Sequence, residues 1–453
     1  MGTLAALLKH RGFDVQGSDE KIYPPMSDFL AAEGIAIFEG YRVEHIDTGI
    51  DLVVVGNAIS RGNPELEAVL DRKVRHVSLP EAVRDHFLWT APSIVIAGTH
   101  GKTTTTSLTG WLLTHGGVDP TVFIGGIAGN FGNGGSSYRI GGTHAPFVIE
   151  GDEYDSAFFD KTAKFLKYLP DIAVVNNIEF DHADIYEDLD AVRVAFRRLV
   201  NLVPKRGLTL LGIDSSEAAA LSARALSRVQ TFGTSENAEW RAVDISSSGT
   251  RSTFRLLRQG QDEGEFEMTL VGTHNVRNAV AAIAVGHECG ITMGTLRVGL
   301  RQFLGVKRRL EIVGTRRDVV VYDDFAHHPT AVGETIAAVR AAQPTRRIWA
   351  IFEPRSASSC RRVFQDDFAR AFSAADEVVI ASVYRSTLPP SERLSEDQLV
   401  TDLRNGGTSA RHLPDVDTIV SAVAAEARPG DLVVIMSNGG FGGIHRKLLE
   451  ALE

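Results

Sequence analysis

The run Ser93-Ile94-Val95-Ile96-Ala97 followed by Gly98-Thr99-His100-Gly101-Lys102-Thr103-Thr104-Thr105-Thr106 reads as an apolar strand entering a glycine loop that opens a helix. Glycines 98 and 101 let the backbone curl until successive N–H groups face phosphate oxygens; Lys102 supplies a cation and Thr103 a hydroxyl for magnesium. Leu108, Trp111 and Leu112 then recur at helical spacing until Gly116-Gly117 closes the helix. The common form of this loop carries another glycine five places before the Gly-Lys pair. Here that place is Ile96, still inside the strand, so the loop is the short variant GTHGKT. The stretch predicts a bound nucleoside triphosphate at the carboxyl end of a parallel strand.

Outward from the loop, 453 residues exceed one hydrophobic core and suggest about three domains of roughly 150 residues. Hydrophobic residues at 43% and charged residues at 23% sit within the globular average. A formal charge of −10 argues against a nucleic-acid partner, whose footprint is a basic patch, but leaves room for an anionic small substrate. Cys289 and Cys360 are the two cysteines and neither has a ligand spacing, so a disulfide framework and a cysteine zinc site both fall away. Neither a membrane-length apolar run nor a leader pattern is present, and a cytoplasmic protein without a membrane partner is expected. Oligomeric state is not legible.

The first segment, 1–90, starts directly with a helix carrying Leu4, Leu7 and Leu8, stops at Gly12, and continues with a strand over Phe13–Gln16 and a turn at Gly17, Ser18 and Asp19. A mononucleotide-binding unit normally opens with a strand and glycine loop before such a helix, so this domain is expected to be partial. Asp51–Gly56 reads as a further strand. In segment 91–305, TVFIGG, FVIE and IAVVNN continue a parallel sheet, and short alternating runs between Trp240 and Val271 read as a small antiparallel insert before a helix over Asn275–His287. Segment 306–453 alternates again: DVVVYDD, a helix after Pro329, RIWAIFEP, a helix from Arg361, DEVVIAS, a helix near Asp415, and DLVVIMSNGG. These fit a second doubly wound sheet.

Strand Phe147–Glu150 runs into Gly151-Asp152-Glu153, where a carboxylate for a P-loop magnesium belongs, and Glu153 is the first candidate. Asn176-Asn177-Ile178-Glu179-Phe180-Asp181-His182 follows another strand, and His182 is a candidate ligand for a second divalent ion. Lys307-Arg308-Arg309 lies at the domain junction: one reading closes an arginine over a γ-phosphate, the other is a solvated basic hinge. The pair His327-His328 also suggests a metal, but a transition-metal site needs further ligands that the sequence does not place.

Together, GTHGKTT, EGDEYDSAFFD, NNIEFDHADI, GTHNVRN, RRLE and DDFAHHPT resemble the Mur ligase family, the ATP-dependent amide ligases of peptidoglycan assembly, over essentially the whole chain. The resemblance implies an α/β protein of three domains. These are a partial Rossmann-like domain for the UDP-sugar (1–90), a central P-loop ATPase-like parallel sheet with a small antiparallel insert (91–305), and a C-terminal Rossmann-like domain for the acceptor (306–453). Tyr23-Pro24-Pro25-Met26-Ser27, GNAISRGNP, FEPRS and MSNGGFGGIH look most like the branch that attaches a recycled tripeptide to UDP-N-acetylmuramate. The alternatives are the branch that attaches L-alanine, and a nucleotide-binding or inactive truncated protein that is not a ligase.

By the same resemblance the cofactors are ATP and Mg2+, and Gly98, Thr99, His100, Gly101, Lys102, Thr103 and Thr104 hold the phosphates. Thr103 and Glu153 would hold the first magnesium and His182 the second; Asn278 would contact adenine, Arg309 the γ-phosphate and Asp323 the ribose. Ser18 and Asp19 are candidates for the uridine nucleotide; Arg355, Ser356, Ser437 and Asn438 are candidates for the incoming amine. His182 or a nearby carboxylate is the candidate base for that amine. Several family members carry a carbamylated lysine after the DH motif, but Asp190–Val200 here contains Arg193, Arg197 and Arg198 and no lysine.

Overall fold

The structure, a computed structural model, describes residues 1–22, 26–384 and 388–453. Tyr23-Pro24-Pro25 of the YPPMS stretch therefore lies outside the described residues. At the centre stands a ten-stranded sheet with the phosphate-loop strand Ser93–Ala97 between Phe147–Gly151 and Ile172–Val175. All three run parallel. Ser93–Ala97 is buried at every position, which is why it reads as a continuous apolar run rather than an alternation. Helices Lys102–His115 and Thr273–Glu288 cover one face through Leu108, Leu112, Val276 and Val280, while Leu189–Leu202 covers the other through Val192, Phe196 and Leu199.

The stretch expected as a small insert is an extension of this sheet. Strands Trp240–Ser248, Arg251–Arg258 and Gln261–Met268 form an antiparallel meander, and the first of them pairs in parallel with Arg228–Gly233 through Phe232↔Trp240 and Gly233↔Arg241. Trp240, Phe254 and Phe266 bury themselves in the same core as the phosphate-loop helix.

The first segment contains two separate parallel pairs, Gln16–Asp19 with Ala36–Glu39 and Val53–Val55 with His76–Ser78. The strand expected over Phe13–Gln16 is shifted: Gly12 turns the chain at φ +91°, and pairing begins only at Gln16. Gly17, Ser18 and Asp19, turn-forming by composition, are strand because a partner strand is within reach, a tertiary effect that outweighs propensity. Leu4, Leu7 and Leu8 pack into the same cluster as Phe87, Phe147 and Phe165, so the first segment shares apolar contacts with the central sheet.

In the last segment a six-stranded sheet runs Glu311–Arg316, Val319–Asp324, Leu432–Met436, Ile348–Phe352, Glu377–Ile380, Ser409–His412, all parallel except the first. Pro329–Ala342 and Gln365–Ala371 cover one face, Val416–Glu426 and Ile444–Ala451 the other. The junction between the two sheets carries strain: Arg308 and Leu310 adopt φ of 60° and 48°, left-handed values that side chains seldom take.

Candidate active site between the central and C-terminal sheets

The phosphate loop is shaped by the strand beside it. Asn177 Oδ1 accepts the His100 amide at 2.7 Å and the Asn177 carbonyl accepts the Thr99 amide at 3.0 Å, so the NN pair after Ile172–Val175 braces the loop. Gly101 sits at φ +80°, and a Cβ there would lie 2.4 Å from Asn278 Oδ1, so the loop and the Asn278 helix meet only through glycine. Thr106 and Ser107 donate back to the carbonyls of Lys102 and Thr103, which lets a polar helix start remain buried with its hydroxyls satisfied.

A cavity of about 730 Å³ opens over this loop and is lined by Thr99–Thr104, Asp152, His182, Asn278, Arg309 and Asp324 among others. At its floor the Lys102 ammonium donates to the carbonyls of Gly98 (2.8 Å) and Thr99 (3.2 Å) and to both oxygens of Glu153 (3.0 and 2.8 Å). Burial is the largest influence on Lys102 and works against its charge, but Glu153, Asp152 and Glu150 outweigh it and hold the pKa above the ordinary lysine value. Glu153 is also 3.3 Å from His182 Nε2. Burial pulls the imidazolium down, yet the bond and charge of Glu153 push its pKa up to about 9.

Thr103 does not meet Glu153. Its hydroxyl donates to Glu150 Oε1 at 3.0 Å, and the Gly125 amide donates to Glu150 Oε2 at 2.8 Å. Glu150 is the penultimate residue of the strand next to the phosphate-loop strand, paired in register with Ile96, and that position was the signal available in FVIE. Burial raises the Glu150 pKa. Asp152 is a second residue the sequence reading passed over: Asp152, Glu153 and His182 offer ligand atoms that all lie within 4.8 Å of one another. Hydroxyl and carboxylate oxygens with one imidazole suit a hard divalent ion such as magnesium. Arg193 of helix Leu189–Leu202, in the stretch where several family members carry a carbamylated lysine, is occupied by Glu217 and Asp190.

From the C-terminal side, Arg309 Nη2 reaches Thr103 Oγ1 at 3.3 Å and its guanidinium lies over Phe325. Arg309 of the junction thus reaches over the phosphate loop, while Lys307 stays exposed. Ser358 donates to Asp181 at 2.5 Å, a further bond between the two sheets. Asp323, expected at the ribose, is turned the other way: it pairs with Arg308 (3.2 Å) and His445 (3.2 Å). Its neighbour Asp324 lines the cavity instead, because successive strand residues point to opposite faces.

The remaining candidates lie outside this cavity. Ser18 bonds Glu65 in the first segment, and Asp19 ends the same short strand. Arg355 stacks on Tyr384 at 3.7 Å and faces Glu353, to which Ser437 donates at 2.5 Å. Ser356 bonds Ser359 at 2.9 Å, and the Asn438 Oδ1 is buried with no hydrogen-bond partner among the described residues. Arg355, Ser437 and Asn438 thus gather at the loop ends of the C-terminal sheet.

Three family profiles cover the chain in order: the Mur ligase family catalytic domain over residues 1–88, the Mur ligase middle domain over 96–286, and the Mur ligase glutamate ligase domain over 308–439. The chain belongs to the Mur ligase family. This Mur ligase is 40% identical over 455 residues to the UDP-N-acetylmuramate–L-alanyl-γ-D-glutamyl-meso-2,6-diaminoheptandioate ligase of Haemophilus influenzae, covering 100% of this chain and 97% of that one. It is 40% identical over 457 residues to the enzyme of the same name from Escherichia coli, covering 100% and 96%. A UDP-N-acetylmuramate–L-alanine ligase from Solibacter usitatus is 36% identical over 459 residues, covering 100% and 93%. Among solved structures, a murein peptide ligase from Psychrobacter arcticus superposes with a TM-score of 0.74 at 35% identity, covering 100% of this Mur ligase and 96% of that chain. No helix among the described residues is long and apolar enough to cross a membrane.

Proposed function

We propose that this Mur ligase joins UDP-N-acetylmuramate to L-alanyl-γ-D-glutamyl-meso-diaminopimelate at the expense of ATP, a step of peptidoglycan recycling in the cytoplasm. The observation that carries the reading is the 40% identity, across the full chain, to two enzymes bearing that name. The 36% identity to an L-alanine ligase favours free L-alanine as the second reading of the acceptor.

In this reading the lactyl carboxylate of the muramate attacks the γ-phosphorus, the bond to the β-phosphate oxygen breaks, and ADP leaves an acyl phosphate behind. The α-amine of the peptide then attacks the acyl carbon and inorganic phosphate departs. The amides of Gly101–Thr104, at the start of the helix, and the Lys102 ammonium bind the phosphates in place, and Arg309 brings a second permanent cation to the γ-phosphate from the other sheet. Thr103 with Glu150, and Asp152 with Glu153 and His182, are the groups that would hold magnesium. Magnesium, when bound there, would offset the negative charge of the phosphates. Asn278 takes the adenine side and Asp324 the ribose side of the cavity. An amine of pKa about 8 is mostly protonated at neutral pH and must lose a proton before it attacks. Arg355, Ser356, Ser437 and Asn438 receive the acceptor, and Ser18 and Asp19 the uridine nucleotide.

The test is ADP release with ATP, magnesium and UDP-N-acetylmuramate, comparing the tripeptide with L-alanine. Tripeptide-dependent release supports the proposal; release with L-alanine alone moves the chain to the second reading, and release with neither sinks both.

A further inference from the structure

One histidine of the pair that the sequence left without partners acquires them in the fold. His328, at the N-terminus of helix Pro329–Ala342, lies beside His100 of the phosphate loop with ring centroids 4.7 Å apart, and Glu179 stands between them. His100 Nε2 is 3.2 Å from Glu179 Oε2, and His328 Nδ1 is 3.6 Å from the same oxygen. The three ligand atoms all lie within 4.8 Å of one another. Donors about 2.1 Å from one tetrahedral ion sit about 3.4 Å apart, so this spacing needs little adjustment to close on a metal.

The surroundings orient these donors. His328 Nε2 donates to the Phe180 carbonyl at 3.1 Å, which leaves Nδ1 as the lone-pair nitrogen turned toward Glu179. A backbone carbonyl behind a ligating imidazole is the usual device for fixing its tautomer and ring plane. Nδ1 also accepts the Thr330 amide at 3.3 Å, a long bond that coordination would replace. Thr330 Oγ1 holds Glu179 Oε2 at 2.6 Å, and the His100 main chain is pinned by Asn177. His328 is buried, while Thr99, His100, Glu179 and Thr330 line the cavity, so a fourth position faces solvent.

We propose that His100, Glu179 and His328 form a binding site for a zinc-class transition-metal ion, separate from the Asp152, Glu153 and His182 cluster. Two imidazoles and one carboxylate select borderline ions over magnesium, whereas the other cluster is rich in carboxylate oxygen. Because His100 and Glu179 belong to the central sheet and His328 to the C-terminal one, an ion here ties the phosphate loop to the first turn of a helix in the other domain. The site depends on closure: its ligands come together only when the two sheets face each other.

Co2+ is the probe, added to the metal-stripped full chain in the presence of excess Mg2+ and read by its visible ligand-field bands, with Zn2+ as competitor. The expected result is one equivalent of Co2+ with tetrahedral or five-coordinate bands, displaced by Zn2+. His100→Asn and His328→Asn should each weaken binding at least tenfold, and His182→Asn should leave the bands in place. Asn at 328 keeps a helix-capping side chain, and should that variant not fold, His100→Asn alone decides. Bands that survive His100→Asn, bands lost in His182→Asn only, or no bands in the unmodified chain would each overturn the proposal.

Discussion

Replacing Lys102 by methionine separates what the phosphate-loop lysine does for the fold from what it does for the reaction. Its ammonium is bound to both oxygens of Glu153 at 3.0 and 2.8 Å, and that side chain is 2% exposed, against 12% for the lysine. Removing one member of a buried ion pair strands the other charge, a loss of about 3–5 kcal/mol. His182, 3.3 Å away and charged at neutral pH, remains beside Glu153, which places the expected loss at the lower end, about 3 kcal/mol. For a domain of this size each kcal/mol moves the midpoint by about 2–4 °C, so the central transition should fall by about 6–12 °C. Adding Glu153→Gln removes the stranded charge, and the double variant should regain most of the lost stability. The coupling is read from a cycle of thermal melts on the four proteins. ADP release should stay at least about a hundredfold down in the single and double variants alike, since both lack the cation at the phosphates. If Lys102→Met melts with the unmodified chain, or Glu153→Gln does nothing to rescue it, the buried pair is not what holds this loop.

The other predictions are more local. Arg309→Lys should lose about two orders of magnitude in turnover, because lysine keeps the charge but lacks the planar fork that reaches Thr103; near-normal ADP release would refute a phosphate role. Gly101→Ala should abolish nucleotide binding, measured by calorimetry, since its Cβ would meet Asn278 Oδ1 at 2.4 Å in a φ +80° conformation. Asp431, bound by Arg347 at 2.6 Å and by the Trp349 indole at 3.0 Å, should cost about 3 kcal/mol in urea melts when changed to Ala. Burial alone would raise the Asp431 pKa, but Arg347, the Arg428 amide and Trp349 hold it below the ordinary value. A depressed carboxylate stabilises fully above about pH 4 and loses that contribution as pH falls through its folded pKa, so the Ala variant should show a shallower acid limb. Burial pushes the Cys289 thiol up to about 11, so iodoacetamide at pH 8 should label it in the native chain far more slowly than in urea, by mass spectrometry.

What the sequence by itself determined is what lies in local pattern. A strand, a glycine loop with its lysine and threonine, and a helix in succession point to a phosphate site, because glycine conformation, amide direction and helix start are set within a few residues. The alternation of apolar runs and helices in 91–305 and 306–453 was legible for the same reason. Tertiary structure decided which side chains meet. Glu150 rather than Glu153 meets Thr103 because strand register, not sequence distance from the loop, sets the neighbour. Asp324 rather than Asp323 faces the cavity because a one-residue difference in a strand reverses the side chain. The meander joins the central sheet, and Gln16–Asp19 is strand, because partner strands from elsewhere in the chain supply hydrogen bonds that no local rule sees. The same holds for His328: its company of His100 and Glu179 spans 228 positions of sequence, and only the packing of one sheet against the other brings them within ligand distance.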